Sequence, residues 1–151
     1  MNKLYGILND LEQQVQFFDS TNPTISSVSV GWHIDHSCLV IIKIVETIKK
    51  ADPLKYKPTF SFKKQLFLLI GRFPRGKAKA PSAVLPIDSL NREGLIIQIQ
   101  KARTAINDLK SCSKNQFFSH PIFGQLNVDV TQQFFCIHTK HHLSIIKDIL
   151  K

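Results

Sequence analysis

Acidic residues are scarce in this chain: 11 Asp and Glu stand against 20 Lys and Arg, a formal charge of +9 at pH 7. That imbalance leaves nucleic acid, an anionic small molecule or plain solvent as what the basic surface faces. Cysteine is scarce too. Cys38, Cys112 and Cys136 are an odd number, widely spaced, and each lies in or beside an expected helix. This suits reduced thiols better than a disulfide framework. The opening MNKLYGILNDLEQQ has no apolar core of a secretory signal, so a cytoplasmic location is expected. Long apolar runs are missing: stretches such as Leu66–Ile70 fall far short of the ~20 residues that span a bilayer. Sustained alternation of apolar and polar residues is missing as well, so no strand is expected. Neither a repeat nor a low-complexity tract breaks the sequence, and one domain over 1–151 is expected, long enough to bury a core.

What is present is helical periodicity. Leu4, Leu8, Leu11, Val15 and Phe18 step by four and three, the seam of an amphipathic helix that the turn residues Asp19–Pro23 end. Ser29 is expected to cap a second helix reaching about Lys50, with Ile34, Cys38, Ile41, Val45 and Ile48 as one stripe. His33, His36 and Val40 lie beside that stripe, so this helix is expected to be central. A short helix over Ser61–Gly71, with Phe62, Leu66, Leu69 and Ile70 inward, follows a connection holding Pro53 and Pro58. The loop FPRGKAKAPSAVLP is long and basic, carrying Arg75, Lys77 and Lys79 just after Arg72. Such a loop either attracts an anionic substrate group or is a solvated surface. Leu95, Ile99, Ala102, Ile106 and Leu109 mark a fourth seam. An aromatic-rich irregular connection, 113–126, leads to Asn127 as cap of the last helix. The expected fold is all-α: four long helices, one additional short helix and long connecting loops.

The last helix, ending TQQFFCIHTKHHLSIIKDILK, places His138 and His142 one turn apart on the face of Phe134, Ile145 and Ile149. Imidazoles so spaced stand roughly 6 Å apart and point the same way. His36 can supply a third nitrogen from across a bundle core. Three neutral imidazoles with remaining positions open suit Zn²⁺ or Ni²⁺ at about 2.0–2.2 Å. The bland alternative is a set of core histidines, each satisfied by one hydrogen bond. His33 and His141 compete for the same roles, and His120 before Pro121 reads as a turn residue. Cys136 faces elsewhere on its helix, and Asp35, Glu46 and Asp129 lie off the histidine face, so none is assigned as a base.

VSVGWHIDH, followed far downstream by HTKHHLSII, resembles the DinB/YfiT-like metal-binding bundles. In those, helix two opens with an aromatic and a serine, a histidine follows eight residues after the aromatic, and the last helix carries H-x-x-x-H. Val28 stands where that family has tryptophan, with Trp32 four residues on; Ser29, His36, His138 and His142 match. PRGKAKAP and HPIFGQLNVDV are further similar to a subfamily with no assigned activity. The resemblance implies a DinB-like four-helix bundle holding a divalent metal on His36, His138 and His142, often as a homodimer. It also implies a transferase or isomerase that uses a low-molecular-weight thiol, with a hydrolase activating a metal-bound water as the variant; the alternative is a non-catalytic, stress-related or structural metal-binding bundle. Nucleic acid is not an expected partner: no helix has a dense basic face interleaved with aromatics, and no DNA-binding spacing occurs. A membrane is not expected either.

Overall fold

Helices form where the apolar residues recur every third and fourth position. A computed structural model describes residues 2–58, 60–71, 82–86 and 90–151. Within them α1 spans Asn2–Gln13, α2 Val30–Lys50, α3 Phe62–Ile70, α4 Arg92–Asp108 and α5 Val128–Ile149. The expected stripe of α2 is sealed, with Ile34, Cys38, Ile41 and Ile48 wholly buried. It packs against Leu95, Ile99 and Ile106 of α4 and Phe135 and Ile146 of α5 in one core. Helices α1 and α2 each pack against both α4 and α5. An ion pair from Arg103 to Glu12 at 2.8 Å, with Asn9 accepting a second bond at 2.7 Å, ties α4 to α1.

The helix starts follow the side-chain oxygens in the sequence. Ser29 accepts from the Trp32 N–H, Ser61 from Lys64, Asn91 from Gly94 and Asn127 from Val130. Gly71 ends α3 in the left-handed region at φ 64°, as expected of a glycine stop. At Gly31 the missing side chain is required by proximity. A Cβ there would stand 2.9 Å from the Phe18 carbonyl oxygen, which accepts the Gly31 N–H at 2.7 Å.

Two expectations are corrected. The connection 113–126 is not wholly irregular: Phe117–His120 (β1) and Gly124–Asn127 (β2) pair antiparallel, Phe118 opposite Leu126 and His120 opposite Gly124. Gly124, at φ 70°, closes the three-residue turn that begins with Pro121. The strands are too short to show alternation, since each buries one side chain, Phe118 or Leu126.

The second correction concerns α3. Phe62, Leu66, Leu69 and Ile70 are not inward but 71, 43, 84 and 56 % exposed. The helix is held instead by the adjacent face, where Phe67 stacks on Phe123 with ring centroids 4.6 Å apart and also meets Phe134. Aromatic stacking on the β-hairpin turn outweighs the longer aliphatic stripe. No helix among the described residues is long and apolar enough to cross a membrane.

Candidate metal centre

The two halves of the site come from α2 and α5, which the core presses together. His36 sits nearly two turns into α2, beside its sealed stripe; His138 and His142 lie on successive turns of α5. Their ring centroids are 5.3 Å (36 to 138), 4.8 Å (36 to 142) and 4.6 Å (138 to 142) apart. One nitrogen from each ring lies within 4.8 Å of the other two. Three nitrogens at about 2.1 Å from a common ion stand about 3.0–3.4 Å from one another, so small ring rotations complete the set. His36 and His142 are almost wholly covered and His138 is half-buried.

Hydrogen bonds decide which nitrogen each ring offers. A carbonyl only accepts, so His36 donates its Nδ1–H to the Val84 oxygen at 2.8 Å and keeps a lone pair on Nε2. The Nδ1 atom of His142 is 2.9 Å from Nδ1 of His33, so its Nε2 is the nitrogen turned to the cluster. Aromatic rings brace two of the three. Trp32 lies parallel to His36 at 4.8 Å, and Phe134 stacks on His138 at 5.6 Å.

Burial pushes all three imidazoles below their ordinary range. For His138 and His142 the neighbouring histidines add to that effect, whereas the Val84 bond of His36 opposes it. All three are therefore neutral at pH 7, the form that donates a lone pair to a cation.

Of the other residues singled out, His33 is buried against His142 but outside the cluster, and His141 is half-buried with its ring edge on His142. The thiols stay apart from the cluster, and burial drives the Cys38 thiol far above its usual range. Asp35 is buried toward Gln98 and Lys101, Glu46 pairs with Lys43, and Asp129 with Lys114. Arg72, Arg75, Lys77 and Lys79 lie outside the described residues. Sequence reasoning missed Ser26 and Val84, which contact His33 and His36. Nothing in a serine or a valine marks it as such; only the fold does.

His120 is more than a turn residue. Its Nδ1 accepts the N–H groups of Ile122 and Phe123 at 3.1 and 3.3 Å, and its ring stacks on Phe123 at 4.4 Å. Burial lowers its pKa to about 4. The folded value is thus below the unfolded one, near 6.5, so the unfolded chain binds the extra proton first. This contribution to stability is complete above about pH 6.5 and lost progressively toward pH 4. We expect urea midpoints of the native protein to fall across that window more steeply than those of His120→Asn, whose amide oxygen also accepts from the turn. Parallel profiles would contradict this role.

Comparison with family models, with characterised proteins and with solved structures gives no match.

Proposed function

We propose that this is a cytoplasmic, DinB-like divalent-metal protein in which His36, His138 and His142 hold Zn²⁺ or Ni²⁺. The single observation that carries the reading is the convergence of three neutral imidazoles from α2 and α5, with one nitrogen of each within 4.8 Å of the others. An all-nitrogen set favours these borderline metals over copper(I), which wants thiolates. The chemistry that such an ion supplies when bound is Lewis acidity toward a thiol or a water. On that basis the finer reading is a transferase or hydrolase that uses a low-molecular-weight thiol. The chain's own part is to orient the nitrogens through Val84 and to exclude bulk water with Trp32 and Phe134.

A second reading, a metal-binding bundle without turnover, is favoured by how little of His36 and His142 reaches solvent: 4 and 8 %. The resemblance also carries a homodimer; half-exposed Ile96 and Ile97, beside a groove between α2 and α4, would supply its apolar surface.

The test is elemental analysis of protein purified without chelators. About one divalent ion per chain is expected, lost in His138→Ala and in His142→Ala. A metal-free native protein ends both readings. Light scattering on the same sample weighs dimer against monomer. With metal present, saturable turnover of thiols and electrophiles that His36→Ala abolishes selects the enzyme, and no turnover selects the second reading.

A further inference from the structure

The three candidate ligands are not held alike. His36 is fixed by a carbonyl, a partner with one role only. His142 is held by another imidazole, and an imidazole can either give or take a proton. Beyond it the chain continues: Nε2 of the buried His33 is 3.0 Å from Ser26 Oγ, which also accepts the Val28 N–H at 3.3 Å.

Two proton arrangements satisfy this row. In one, the Ser26 hydroxyl donates to His33, His33 donates from Nδ1 to His142, and His142 keeps its proton on Nε2. That nitrogen then has no lone pair for a cation. In the other, His142 donates from Nδ1 to His33, His33 donates from Nε2 to Ser26, and His142 Nε2 is free to ligate. The second is open to this site because a hydroxyl oxygen has two acceptor positions, enough for the Val28 N–H and the His33 N–H together.

We propose that His33 and Ser26 are positioning residues that hold His142 in its metal-ligating tautomer. The proposal rests on the metal-binding reading above. Partners of this kind fix the ring orientation of a ligand and strengthen it as a donor, and losing one typically costs about 10–100-fold in affinity. His33 is one turn before residue 37 and three residues before His36, so one helix carries both a ligand and the support of another ligand.

The experiment compares Zn²⁺ affinity, by chelator competition, in the native protein, His33→Phe and His33→Asn. Phenylalanine keeps a planar ring but cannot accept; asparagine places an amide oxygen near the position of Nδ1. We expect the phenylalanine variant to bind about 10–100-fold more weakly and the asparagine variant to recover most of that loss. Long-range ¹H–¹⁵N spectra of the native Zn²⁺ complex should show His142 protonated on Nδ1 and His33 on Nε2. Those spectra decide alone if His33→Phe does not fold. Unchanged affinity in His33→Phe, equal loss in both variants, or a His142 proton on Nε2 would overturn the proposal while leaving the metal site standing. A native protein that takes up neither Zn²⁺ nor Ni²⁺ defeats the metal-binding reading itself, and this inference with it.

Discussion

Zn²⁺ or Ni²⁺ at a hundredfold excess over its dissociation constant should raise the native melting midpoint by about 5–11 °C. This follows from a linkage contribution of about 2.7 kcal/mol and about 2–4 °C per kcal/mol at this chain length. The unfolded chain gains far less, because His36 and His138 are about a hundred residues apart in sequence and meet only when α2 and α5 pack. In His138→Ala the ion keeps two donors from different helices, and the shift should shrink to a small fraction. In His142→Ala it should do the same. Equal shifts in native and variant proteins would place the ion elsewhere.

The largest loss of stability is expected at Phe134. Its ring is 3 % exposed and meets Phe67 of α3, Phe118 of β1, His120 at the turn and His138 in the site. Truncating a buried phenylalanine costs about 3–5 kcal/mol, which lowers the melting midpoint by about 6–20 °C here. The four partners of Phe134 come from α3, β1, the turn and α5, so no single element can shift to fill the cavity left behind. Phe62→Ala is the control. That ring is 71 % exposed, and its removal should change stability by no more than about 0.5 kcal/mol. Calorimetry that finds the two variants alike would contradict the placement of α3 across the hairpin. Metal affinity should also fall in Phe134→Ala, whose loss leaves the His138 ring unbraced.

The contrast between those two phenylalanines shows what a sequence can and cannot announce. Periodicity reveals a face only when a helix is long enough for the face to be buried along its length. Ile34, Cys38, Ile41, Val45 and Ile48 span four turns of α2, and all are sealed where expected. In α3, nine residues long, one aromatic contact overrides the stripe, and nothing in the spacing reveals that Phe67 would meet Phe123. The hairpin is hidden for a related reason. A strand of four residues that buries one of them leaves no rhythm to detect.

The site divides along the same line. His138 and His142 are local, a spacing of four on one helix, and were legible as a pair. His36 required knowing that α2 faces α5, which its apolar girth suggested. The proton positions on His36 and on the His33–His142 pair were illegible, since they depend on a carbonyl at residue 84 and a hydroxyl at residue 26.

The bond from His36 to Val84 makes the grip on a cation answerable to a peptide unit 48 positions away, in the connection that leads into α4. Withdraw that carbonyl and the ring can swivel about its Cβ–Cγ bond, presenting carbon where nitrogen had been. Seating of one short stretch of connecting backbone is thereby geared to the hold on an ion that this stretch never touches, in the manner of a latch.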